Sequence, residues 1–136
     1  MRILFLCLFT LGFLNSCANK NPPSSEINEM VFEENEEGEY DIIVLDSQYD
    51  YFLHAIAKPK NFHSESYYKA RNSIFVTQWN ARHSQPLHYD PNLYSINIDY
   101  NPQINYGYDF EYKLFNFFMF IEWKYDVNLD GRMNRY

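Results

Sequence analysis

The chain has 136 residues, 18 acidic against 11 basic for a formal charge of −7, and 20% of its side chains are aromatic. That length accommodates one domain rather than two, and the acidic balance argues against nucleic acid or anionic lipid head groups as partners. Its cysteines, Cys7 and Cys17, both sit near the N-terminus, so the remainder offers no thiolate for catalysis or zinc and no disulfide staple.

The first segment reads as an export signal. Arg2 supplies a positive start, Ile3 to Leu14 form an uncharged apolar run, and the small Ser16 precedes Cys17. Such a run is too short to cross a bilayer. Leu14-Asn15-Ser16-Cys17 resembles the lipobox of bacterial lipoproteins, in which the cysteine is diacylated and the signal is cleaved just before it. By that resemblance residues 1–16 are a signal peptide, and Cys17 is the lipidation site that holds the protein on a membrane of the cell envelope. Ala18 and Asn19 carry no retention aspartate, which by the same analogy directs the protein to the outer membrane.

Residues 17–39 read as an acidic tether. Glu26 to Glu39 hold seven glutamates and no basic residue, after Pro-Pro and Ser-Ser. Low hydrophobicity and like charge leave too little burial to offset ordering entropy. A flexible chain of that length spans roughly 25 Å, enough to stand a domain off a membrane.

The expected domain, 40–136, opens with Ile42-Ile43-Val44-Leu45, a short buried strand by its branched aliphatics. Ser47 with Asp50 suggests a capping-box start for a helix running to about Ala57, which Pro59 stops. A second helix is expected from Ser64, as cap, to about His83, with Trp79 and several tyrosines at helical spacing. Tyr94-Ser95-Ile96-Asn97-Ile98-Asp99-Tyr100 alternates apolar and polar residues, the pattern of a strand with one face buried. The stretch from Asp109 to Tyr125 is apolar around most of its girth, as a central core helix would be. Its longest uncharged run, Leu114 to Ile121, is far too short for a membrane span. The expected fold is therefore a small single α+β domain in β-α-α-β-α order, a two-stranded sheet packed by about three helices.

Candidate sites are few. Asp126, Asn128 and Asp130 before Gly131 match the first half of an EF-hand calcium loop. The bidentate carboxylate at its twelfth position would fall beyond Tyr136, so a helix-terminal turn with Val127 and Leu129 against the core is the expected use. His83 and His88, with Asp90, lack a spacing that would fix a metal-binding face. Asp46 and Asp50 with a histidine would be the carboxylates of an envelope-polymer hydrolase, although helix capping explains the same residues. No glycine-rich phosphate loop is present, and no cofactor is expected. Trp79 and Arg82, with Tyr100, Tyr106 and Tyr108 of a nearby loop, make the best candidate binding surface, suited to a sugar ring or a protein partner.

Several segments taken together carry a wider likeness. They are Glu39 to Asp46, Ser66-Tyr67-Tyr68, Trp79-Asn80-Ala81-Arg82, Ile98-Asp99-Tyr100-Asn101-Pro102, Asn105-Tyr106-Gly107 and Tyr112 to Phe118. The chain over roughly 39–127 resembles a family of small lipoproteins from Bacteroidota-type bacteria with no assigned function. The resemblance implies an envelope address and a single domain, and it names no activity or functional residue. It further implies that such chains end soon after Lys124-Tyr125, which would make Asp126 to Gly131 an extension. The reading from sequence is a non-enzymatic, lipid-anchored binding or accessory module for envelope proteins or glycans.

Overall fold

The most apolar stretch of the sequence becomes the axis of the protein. In the computed structural model, which describes residues 30–34 and 40–131, helix α3 (Tyr108–Tyr125) buries Phe110, Leu114, Phe117, Phe118, Phe120 and Ile121 almost completely. Around it pack strand β2 (Tyr40–Val44), helix α1 (Ser47–Ala55) and helix α2 (Glu65–His83). Strand β1 (Met30–Glu34) pairs antiparallel with β2 in the register Met30↔Val44, Phe32↔Ile42 and Glu34↔Tyr40. The fold is thus the expected small α+β domain with a two-stranded sheet and three helices.

The strand order differs from expectation: it is β-β-α-α-α. The partner of β2 comes from residues 30–34, inside the segment read as tether, because Met30 and Phe32 supply an inward face that the surrounding glutamates mask in any composition average. Residues 94–100 form no ladder among the described residues, although their alternation does encode one inward face: Tyr94 and Ile98 are buried, Asn97 and Asp99 exposed. Side chains of α2 replace the missing strand. Trp79 Nε1 donates to Ile96 O at 2.8 Å and Asn80 Nδ2 to Ile98 O at 2.9 Å, while Ile98 N–H donates back to Asn80 Oδ1 at 2.8 Å. One asparagine amide thus offers the donor and acceptor that a neighbouring strand would offer.

Local chemistry sets the helix ends. Asp46, not Ser47, caps α1, accepting from Gln48 N–H at 2.9 Å. Ser64 caps α2, accepting from Tyr67 N–H at 3.2 Å. Gly107 precedes α3 at φ 87°, a left-handed conformation that costs glycine nothing, and Asp126 closes the helix at φ 50°.

Contacts along α3 give the directions. Tyr40 meets Phe110, Asp41 pairs with Lys113 and Asp46 with Lys124, so β2 runs alongside α3 in the same sense. Helix α1 returns: Tyr49 and Phe52 touch Phe120, and Tyr112 reaches the Lys58 carbonyl. Helix α2 again ascends with α3, Tyr68 against Tyr108 and Trp79 against Phe117. Residues 84–107 then cross back along α2 to the start of α3. No helix among the described residues is long and apolar enough to cross a membrane.

Candidate functional site

The residues expected to form a binding surface do not come together as one. Trp79 is buried, 1% exposed, with its ring against Tyr94, Phe117 and Phe118. Arg82 lies over the Tyr89 and Tyr94 rings and donates to the Tyr94 hydroxyl at 2.7 Å and to the Asn128 carbonyl. Tyr100 and Tyr106 stack on each other, and Tyr106 on Phe110, under the sheet end of α3. Tyr108 lies elsewhere, beside Tyr68. Cys17 falls outside the described residues.

The turn after α3 works as a clasp. Asp130 forms a buried ion pair with Arg71, Leu129 N–H donates to Glu122 Oε1 at 2.7 Å, and Leu129 itself is 1% exposed. Asn128 Oδ1 accepts from Gly131 N–H. Asp126, Asn128 and Asp130 are therefore not convergent ligands, and no cluster of three or more metal-binding side chains occurs among the described residues. Asp46 caps α1 and pairs with Lys124, while Asp50 is an exposed first-turn residue. No histidine pairs with either carboxylate among the described residues, and His83 Nδ1 is engaged with the Tyr94 carbonyl at 2.6 Å.

Two arrangements appear that the sequence pattern did not single out. The first is a buried carboxyl cluster. Glu111 is fully buried and accepts from Asn72 Nδ2 at 2.7 Å and from the Tyr100 hydroxyl at 3.0 Å. Burial holds the Glu111 carboxyl above its ordinary range, against these two hydrogen bonds, and the same burial, with the neighbouring Glu111 charge, pushes the Tyr100 hydroxyl up. Asn72 Nδ2 also reaches the Glu111 carbonyl, while Asn72 Oδ1 is buried without a hydrogen bond. With Asn72 and Glu111 fully buried and Tyr100 half-buried over them, this cluster ties α2, α3 and the crossing segment together.

The second is an exposed aromatic ridge between α1 and α2. Phe62 is 58% and Tyr67 40% exposed. His63 stacks on Tyr67 at 3.8 Å between centroids, with an interplanar angle of 18°, and Phe62 stands edge-on to His63 at 4.7 Å. Lys58 Nζ lies 5.8 Å from the Phe62 centroid. Partial burial holds His63 below its usual range, favouring the neutral ring. Three tyrosine hydroxyls from α2 and α3 fix the backbone beneath: Tyr112 donates to Lys58 O at 2.9 Å, Tyr68 to Lys60 O at 3.1 Å, and Tyr108 lies 2.6 Å from both Lys60 O and His63 O. Burial raises the Tyr68 hydroxyl to about 12, so it remains a donor across the physiological range. Tyr108 thus positions a surface instead of forming one. The sequence signal was available in Lys58-Pro59-Lys60-Asn61-Phe62-His63: a proline-containing turn carrying large rings that no helix or strand period assigns to the core.

The chain belongs to a family of unknown function, DUF6146, which matches residues 3–135. The match reaches beyond the Asp126–Gly131 turn, so that turn lies within the family's span and is not an extension. No curated protein and no solved structure matches the chain.

Proposed function

We propose that the protein is a lipid-anchored component of the cell envelope, held through Cys17 and directed to the outer membrane, whose α+β domain is a non-enzymatic binding module. The observation that carries the binding role is the ridge of Phe62, His63 and Tyr67. His63 and Tyr67 pack inward on Tyr68 and Phe115 while Phe62 and Tyr67 keep large areas in water, on a backbone held by three tyrosine hydroxyls, and preorganised aromatics are what binding surfaces use. The anchor is supported by the lipobox-like Leu14 to Cys17 after an apolar run.

Two measurements test this. Wild-type protein is expected to incorporate a palmitate analogue and fractionate with membranes, and Cys17→Ala to do neither; equal labelling would refute the anchor. Retention of the protein on detergent-washed envelopes is expected to drop in the Phe62→Ser, Tyr67→Ser double variant. Undiminished retention would remove the ridge from the binding role.

A further inference from the structure

We propose that the outer edge of β1 takes an extended segment of a partner protein as an added antiparallel strand. Two consecutive basic residues of that segment lie opposite Glu33 and Glu34, and branched aliphatics lie opposite Met30, Val31 and Phe32. This surface is separate from the ridge and does not depend on it. Backbone, side chains and charge each lead to it.

The backbone comes first. Among the described residues the sheet has two strands, so each strand has one side without a ladder. On β2 that side is closed by its own chain: Ile42 N–H donates to Asp41 Oδ1 at 2.7 Å, and Lys113 Nζ donates to the same oxygen. The outward turn of Ile42 sets the phase of the ladder, because bonded and non-bonded pairs alternate along antiparallel strands. Phe32, opposite Ile42, therefore points its N–H and carbonyl away from β2. Neither group has a hydrogen-bond partner among the described residues. A strand edge left open in this way is a template for one more strand.

Side chains come second. Met30 and Ile42 are buried and Phe32 meets Phe110, whereas Val31 and Ile43, directly opposite each other, are each 37% exposed on the outer face. Leu45, two residues beyond Ile43, is 59% exposed and extends that face. A branched aliphatic on an added strand covers Val31 and continues the same apolar strip. Met30 to Glu34 hold no lysine or proline of the kind that keeps edge strands unpaired. Only Glu33 and Glu34 guard this edge, and they do so by charge.

Charge comes third, and it chooses the occupant. Asp41, opposite Glu33, is neutralised by Lys113, and beyond Val44 the Asp46 carboxylate is neutralised by Lys124. Glu33 and Glu34 form no ion pair among the described residues, so both negative charges stay on the edge. A second copy of the chain is disfavoured there, since residues 26–39 of each copy bring seven glutamates and no basic residue. An anionic membrane surface is disfavoured for the same reason. Basic residues opposite Glu33 and Glu34 turn that repulsion into attraction, in keeping with a chain whose formal charge is −7.

The test uses the full chain in non-ionic detergent and the peptide acetyl-Ser-Lys-Lys-Ile-Val-Val-Ser-amide. Laid antiparallel to β1, its lysines meet Glu34 and Glu33 and its isoleucine meets Phe32. Binding is expected by calorimetry, with slowed amide exchange at Phe32. Glutamates in place of the peptide lysines should weaken binding about tenfold, and Glu33→Gln with Glu34→Gln in the protein about fivefold without altering Tm. N-methylation of the peptide isoleucine removes the donor to the Phe32 carbonyl and should weaken binding about tenfold or more. N-methylation of the following valine, whose N–H points away from β1, should cost less than about twofold. Absence of binding overturns the proposal. So does equal binding of the parent and both N-methyl peptides, which would reduce the contact to charge attraction alone. A dimer seen by sedimentation without peptide, with slowed exchange at Phe32, also overturns it by giving the edge to a second copy.

Discussion

Tyr67 and Tyr68 are neighbours on α2, yet one is 40% exposed and the other 1%. They mark the boundary between two aromatic regions built from the same residue types. Around α3, rings such as Phe75 and Phe118, 5.2 Å apart, fill the interior, and their value is the water they exclude. On the ridge, His63 touches both Phe62 and Tyr67, His63 and Tyr67 lean inward on Phe115, and Phe62 and Tyr67 leave their outer surfaces wet. Burial accounts fully for the first region and only for the inner side of the second. Aromatic content alone therefore does not separate core from binding surface in a chain this rich in rings.

The comparison is most severely tested inside the core. Phe118→Ala, at a position with no exposure, is expected to cost about 3–5 kcal/mol in urea unfolding through the cavity it leaves. A similar loss, about 3–5 kcal/mol, is expected for Asp130→Asn, because it leaves the Arg71 guanidinium buried without its counter-charge. A loss below 1 kcal/mol there would mean the clasp opens in solution. Asn80→Ala should cost roughly 1–3 kcal/mol, since Ile98 loses the partner of both its N–H and its carbonyl. Amide exchange at Ile98 should rise in that variant before global unfolding.

Glu111 gives a smaller, pH-dependent effect. Its folded-state pKa is raised, so the stability it contributes is complete below the ordinary glutamate range and is lost as pH rises through the raised value. Wild-type urea midpoints should therefore decline from about pH 4.3 upward, and Glu111→Gln should flatten that decline. An unchanged pH slope would show that another group governs it. Least of all should change on the ridge: Phe62→Ser is expected to shift stability by no more than about 0.5 kcal/mol while reducing envelope retention. A large stability loss there would make the ridge part of the core and erase the distinction between the regions.

Much of the fold was legible because it is written in local chemistry. Ser64 caps α2, the apolar girth of 109–125 marks a central helix, and Pro59 follows the end of α1. The expectations that failed depended on which partner a segment finds. Alternation over 94–100 correctly encodes one inward face, but period two does not say whether a strand or a helix side chain will satisfy the backbone. Met30 and Phe32 were hidden among glutamates because composition averages over the very alternation that makes a strand. The candidate site was less legible still. Trp79, Arg82 and Tyr100 have the residue types of a binding surface, yet Trp79 is buried and Arg82 and Tyr100 are half-buried with their polar groups bonded within the fold, while Phe62 and Tyr67, spaced like packing residues or isolated in a turn, face solvent.

By itself, then, the sequence determined the approximate helix boundaries and the α+β class, since caps, periodicity and glycine or proline positions act within a few residues of each other. Only the tertiary structure decided that β1 comes from the acidic segment, that Asn80 stands in for a strand, that Asp130 closes on Arg71, and which rings stay wet. Those outcomes rest on contacts between residues tens of positions apart, and no local pattern carries the geometry that selects them.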